Sequence, residues 1–194
     1  MKKLSSLVLA LLFGTVLFAQ NDPSGLLVND AAPDFAASTG DGQILQLSSA
    51  LKKGKVVLVF YRGEWCPYCN RQLSALQDSS ALILEKGAAI WAITPEKQEN
   101  ITKTVSKTKA DFPILHDQGL QIMQAYKVAF PVEQKTIDQY KKFKIDLMEV
   151  NGENGANLPV PAVYIIDEKG KIIYRYFDKD YRKRPSVKEI LSHL

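Results

Sequence analysis

Val57-Leu-Val-Phe-Tyr-Arg-Gly-Glu-Trp-Cys-Pro-Tyr-Cys69 is the stretch on which the fold turns. Val56 to Tyr61 is an apolar, β-branched run, the pattern of a strand buried on both faces. Two cysteines follow, two residues apart, and Pro67 between them suits a first helical turn. Leu73, Leu76, Leu82 and Ile83 then recur at helical spacing, with Asp78, Ser79, Glu85 and Lys86 opposite them and Gly87 as a stop. Cys66 and Cys69 therefore sit at a strand-to-helix junction, where partial positive charge lowers a thiol pKa. They are the only cysteines in the chain. A bridge between them would close too small a loop to act as a staple. Zinc would need further ligands, and His116 and His193 are the only imidazoles. The pair reads as reversible thiol redox chemistry, with no metal and no cofactor called for.

Upstream, Asp34 to Leu47 reads as a hairpin with Thr39-Gly40-Asp41-Gly42 as its turn, and Leu51 to Gly54 as a connector. Downstream, Ala88 to Ile93 is a second buried strand. Thr94-Pro95-Glu96 reads as a helix start, with Ile101 and Val105 on the apolar face. Phe112 to Leu115 is a short strand, and Gln118 to Tyr126 a short helix. This alternation implies a sheet with a parallel centre. Val160 to Ile166 and Lys171 to Phe177, joined by Asp167-Glu-Lys-Gly170, add an antiparallel pair. Pro185 begins a last helix with Val187, Ile190, Leu191 and Leu194 on one stripe. Lys127 to Leu158 is an insert. Val132, Ile137, Tyr140 and Phe143 suggest a helix in it, and Asn151 to Gly155 a loop. It reads either as a functional or interface segment, or as a helical lid over the sheet edge.

Residues 1–20 read as a signal peptide: Lys2 and Lys3, an apolar run from Leu7 to Phe18, then small Ala19. That run of about 12 residues is shorter than the roughly 20 needed to span a bilayer. Cleavage near residues 19–20 is expected, with an uncleaved anchor as the alternative. The protein is then exported, to a periplasm-like compartment, and residues 21–194 form one domain. Removing Lys2 and Lys3 takes the formal charge from +4 to about +2. That near balance gives no reason to expect nucleic acid as a partner. The cluster Arg182-Lys183-Arg184 reads as a solvated helix start. His116-Asp117 reads as a turn or cap.

The order of elements around Trp65-Cys66-Pro67-Tyr68-Cys69 resembles the thioredoxin fold: α/β, a central mixed β-sheet flanked by helices, here with an N-terminal hairpin and a helical insert. More narrowly, Phe60-Tyr61-Arg62-Gly63, Phe112-Pro-Ile-Leu-His-Asp117 and Leu158-Pro-Val-Pro-Ala-Val-Tyr-Ile-Ile-Asp167 resemble the peroxiredoxin-like branch of alkyl hydroperoxide reductases and thiol-specific antioxidant proteins. In that register Cys69 takes the peroxide-attacking position and Cys66 the position of a threonine. Arg62 stands where typical members have proline, and Pro161 where they have arginine. Pro161 resembles instead the cis-proline that thioredoxins hold against their disulfide.

The resemblance implies two enzymatic readings. In the first, Cys69 attacks a hydroperoxide and Cys66 resolves the sulfenic acid, with Arg62 or Tyr61 assisting and a thioredoxin-type donor supplying electrons. In the second, Cys66 is the exposed nucleophile of a thiol–disulfide oxidoreductase acting on protein disulfides. Cys69 resolves, Trp65 forms an apolar lip, and backbone beside Pro161 is open for substrate pairing. A membrane relay is the other candidate electron donor, and a homodimer is left open. A third reading, outside enzymology, is an interaction module working through the insert.

Overall fold

The computed structural model describes residues 22–194; the expected signal peptide lies outside the described residues. The expected hairpin forms from β1 (Ala36–Thr39) and β2 (Ile44–Gln46), paired Ala36 to Gln46 through Ser38 to Ile44. Leu47 does not extend its second arm. It opens a short helix, α1 (Leu47–Leu51), because Leu47 and Leu51, four apart, both bury against the sheet. β3 (Lys55–Phe60) follows, then α2 (Pro67–Asp78) and α3 (Ser80–Glu85), two helices where one was expected.

Next come β4 (Ala88–Thr94), α4 (Gln98–Thr108) and β5 (Ile114–His116). A 3-10 turn at Gln118–Leu120 leads to α5 (Gln121–Ala125). The insert holds β6 (Ala129–Pro131), α6 (Gln134–Lys142), α7 (Leu147–Asn151) and β7 (Asn157–Pro159). β8 (Ala162–Ile166), β9 (Ile172–Phe177) and α8 (Val187–Ser192) complete the chain.

Seven strands form one mixed sheet in the order β2-β1-β5-β4-β3-β8-β9. β3–β4 and β4–β5 are parallel, while β3–β8 and β8–β9 are antiparallel. The thioredoxin-like α/β arrangement expected from the sequence is therefore present, with β3 inside the sheet. Its alternation serves both faces: Val56, Leu58 and Phe60 enter one core and Val57, Val59 and Tyr61 the other. Cys66 and Cys69 belong to the second core, beneath α2.

Five further local expectations change. α4 begins at Gln98, not at Thr94, because Glu96 turns inward and is fully buried. Val105, placed on its apolar face, is 38% exposed. In the insert, only Ile137 and Tyr140 of the expected helical stripe lie within α6, and Phe143 projects into solvent just beyond it. Asn151 to Gly155 is not an open loop: Asn151 closes α7, and Gly152–Asn154 is a 3-10 turn. Pro185 precedes the true N-cap of α8, Ser186, whose hydroxyl accepts the Glu189 N–H at 3.1 Å.

Candidate active site

Cys66 is the N-cap of α2, in an extended conformation (φ −89°, ψ 109°), and Pro67 fills the first helical position. An N-cap acceptor satisfies a backbone N–H that the helix leaves unpaired. Here the acceptor is the Cys66 sulfur, which takes the Cys69 N–H at 3.4 Å. The Cys66 N–H donates to the Gly63 carbonyl at 3.1 Å, and the Asn70 side-chain amide donates to the Glu64 carbonyl at 2.8 Å. The turn 63–66 is thus locked onto the helix. Both cysteines are free thiols and both are buried, Cys66 at 1% exposure. This corrects the expectation of an exposed Cys66: the flanking aromatic residues Trp65 and Tyr68 pack against the same core and cover the turn.

The two sulfurs are electrostatically unequal. Burial works against a Cys69 thiolate. The Cys66 S–H, the Arg184 guanidinium, and the backbone N–H and guanidinium of Arg62 outweigh it, bringing Cys69 down to about 6. Cys66 moves the other way, well above the usual thiol range. Its proton is committed to Cys69, it is buried, and the neighbouring charge opposes a second anion. One thiolate shared by the pair, resting on Cys69, is the arrangement this geometry favours.

Arg184 is the residue sequence reading missed. Its Nη2 donates to Cys69 Sγ at 3.3 Å, and its Nε donates to Gln72 Oε1 at 2.7 Å. It is half-buried, not part of a solvated cluster. Nothing local marks it, since Arg182 and Lys183 beside it are exposed and pair with Asp180 and Asp178.

Arg62 leaves the end of β3 and is 4% exposed, so it is a buried group and not a surface residue at a strand end. Its guanidinium lies among three rings: Tyr181 at 4.3 Å, Trp65 at 5.0 Å and Tyr140 at 5.5 Å from the ring centroids. One Nη donates to the Tyr140 hydroxyl. Tyr140 comes from α6 and packs its ring on Trp65, centroids 5.2 Å apart. The insert thus reaches the cysteine turn: Val132, Leu147 and Leu158 form a small core of their own that seats on Trp65. Asn154 anchors it, donating to the carbonyls of Pro95 (2.7 Å) and Asp117 (2.9 Å).

Pro161 lines a cavity of about 520 Å³ together with Arg62, Val132, Thr136, Tyr140 and Tyr181. Two expectations for it fail. No peptide bond among the described residues is cis. Nor is the backbone beside it open, because Val160 N–H donates to Val128 O at 2.8 Å and Pro161 O accepts from Asp178 N–H. Tyr61, considered as a helper, donates its hydroxyl to Thr104 instead. His116-Asp117 is a cap, as expected: the Asp117 carboxylate accepts the N–H groups of Ile122 and Met123 at 2.9 and 2.7 Å.

Glu96 is the second group the sequence concealed, being read there as a helix start. One oxygen accepts the Glu64 N–H at 2.7 Å, and the other has no partner among the described residues. Burial pushes its pKa up to about 8, and the Glu64 and Cys69 charges add to that. It meets the cysteine turn at Gly63, where a Cβ would stand 2.5 Å from Trp65 Nε1 and 2.7 Å from Glu96 Oε1.

A buried redox-type cysteine pair at the N-terminus of the first helix after a central strand defines a thioredoxin-fold protein with a thiol site. More particularly, residues 28–175 match the AhpC/TSA family, and the chain belongs to it. The curated relatives include the thiol-disulfide oxidoreductase ResA of Oceanobacillus iheyensis, 30% identical over 127 residues, covering 63% of this chain and 65% of that one. ResA of Geobacillus thermodenitrificans is 23% identical over 175 residues, covering 89% of this chain and 83% of that one. Among solved structures, peroxidoxin BcpB from Mycobacterium tuberculosis superposes with a TM-score of 0.66 at 19% identity, over 86% of this chain and 94% of that one. That last likeness speaks to the fold alone.

Proposed function

We propose that residues 21–194 form a single-domain, exported thiol peroxidase in which Cys69 is the attacking thiolate and Cys66 the resolving thiol. The observation that carries this reading is the Arg184 guanidinium 3.3 Å from Cys69 Sγ, beside a sulfur whose pKa is drawn down to about 6. A sulfur held as an anion at neutral pH is the nucleophile a hydroperoxide requires. Cys69 S⁻ attacks one peroxide oxygen, the O–O bond breaks, and the alkoxide leaves and takes up a proton as alcohol. Cys69 is now a sulfenic acid. Cys66 displaces its hydroxyl as water and forms the Cys66–Cys69 disulfide. A thioredoxin-type dithiol, or a membrane relay, returns two electrons and two protons. Arg62 is assigned to the same charge field, and Trp65 and Pro161 to the wall of the site.

A second reading, thiol–disulfide exchange with proteins, is favoured by two observations: Cys66 at the helix N-cap, and the ResA relatives, which bear that activity in their name. It requires Cys66, 1% exposed, to become reachable by a protein disulfide, where the first reading requires Cys69, 0% exposed, to become reachable by a peroxide. Stopped-flow mixing of the reduced protein with hydrogen peroxide separates the two. The peroxidase reading expects fast oxidation in wild type and Cys66→Ser, and none above free thiol in Cys69→Ser. Insulin reduction by a protein that does not respond to peroxide would replace it with the second reading.

A further inference from the structure

The cavity beside Arg62, about 520 Å³, falls within the roughly 300–1,000 Å³ typical of small-molecule sites. Phe130, Val132, Leu158 and Pro161 give it apolar walls, and Arg62 supplies a polar feature at one side. Among the described residues Arg62 forms no ion pair. It is 4% exposed, and its Nε has no acceptor. The groups that do contact its guanidinium are neutral: three rings and the Tyr140 hydroxyl. The negative charge it does feel, the Cys69 thiolate, acts on it through space and without contact; a buried cation with no anion in contact is costly, and rings recover only part of that. The second cation on the wall, Lys179, already pairs with Asp22 at 2.9 Å. Glu133, also on the wall but exposed, repels any anion and a multiply charged one most. One buried cation with no anion in contact, set among apolar walls, matches a monoanion carrying an apolar chain.

We propose that this cavity binds an apolar monocarboxylate, its carboxylate on the Arg62 guanidinium and its chain between Val132, Leu158 and Pro161. The inference rests on the peroxidase reading only for its purpose: there the pocket selects substrates with an acyl or aryl body and one anionic head. Binding itself needs no reaction at either cysteine.

Calorimetric titration of the reduced full chain with sodium octanoate and, separately, with 1-octanol is the test. Octanoate is expected to bind saturably, with Kd below ~1 mM, and octanol at least tenfold more weakly. Arg62→Met brings octanoate down to the level of octanol, and Thr136→Trp, which fills the cavity from α6, weakens both. Equal binding of acid and alcohol by wild type, no octanoate heat, or octanoate binding untouched by Thr136→Trp would each overturn the proposal. The wild-type comparison and Thr136→Trp decide the matter even if Arg62→Met does not fold. No peroxide is present, so a failure of cysteine chemistry leaves this result standing, and a failure to bind octanoate leaves the peroxide kinetics of Cys69 untouched.

Discussion

The Arg184 guanidinium donates to the Cys69 sulfur at 3.3 Å, across 115 residues of sequence. The same side chain is held by Gln72, three residues after Cys69 on α2, so the helix that carries the sulfur also aims its counter-charge.

Arg184→Gln removes that charge and keeps a polar side chain in place. The Cys69 pKa is expected to rise from about 6 towards the ordinary thiol range, which lowers the thiolate fraction at pH 7. Thiolate absorbance near 240 nm, followed against pH in the reduced protein, should move its midpoint upward by about one unit. Peroxide oxidation at pH 7 should slow by about twofold, as the thiolate fraction falls from about 0.9 to about 0.5. Arg184→Lys should fall between the two, because lysine keeps the charge but not the fixed fork.

Glu96 couples stability to pH in the direction opposite to most carboxylates. Its folded pKa is pushed up to about 8, above the ordinary value of 4.5. Between those values the folded protein holds a proton that the unfolded chain releases, so stability falls as pH rises. The contribution is complete below about pH 4.5 and gone above about pH 8. Glu96→Gln, which stays neutral, should flatten this slope. Its melting temperature is expected to exceed that of wild type by several degrees at pH 8, and to approach it at pH 5. Parallel thermal melts at the two pH values measure this.

Gly63→Ala tests the close approach of the cysteine turn to Glu96. Its Cβ would meet Trp65 Nε1 at 2.5 Å and Glu96 Oε1 at 2.7 Å, both on packed side chains. Overpacking of this kind costs about 1–3 kcal/mol. The urea midpoint should fall with an unchanged m-value.

Asn154→Ala deletes the two hydrogen bonds that tie the insert to the loops after β4 and β5, leaving the Pro95 and Asp117 carbonyls without them. A loss of about 1–3 kcal/mol is expected. Hydrogen exchange should quicken in residues 147–158 before it does so in β3.

Most of the framework is legible in the chain. The run Val56 to Tyr61, the hairpin turn at Thr39 to Gly42 and the turn at Asp167 to Gly170 each carry their own signal in periodicity or turn chemistry, and each stands where that signal puts it. The misses share one cause. Glu96 follows a proline and resembles a helix start, yet it packs inward beneath Gly63. The stripe expected through the insert breaks at Phe143 because that segment builds a separate small core on Trp65. Burial against a distant surface leaves no local pattern to read.

The sequence by itself determined that Cys66 and Cys69 stand at a strand-to-helix junction of a mixed α/β sheet, because strand and helix periods and a proline at the first helical position are local properties. Only the tertiary structure decided how the pair divides its charge. A thiol pKa follows from burial and from charges a few ångströms away, and those come from Arg184 near the far end of the chain and from Arg62 beneath Tyr140 of the insert.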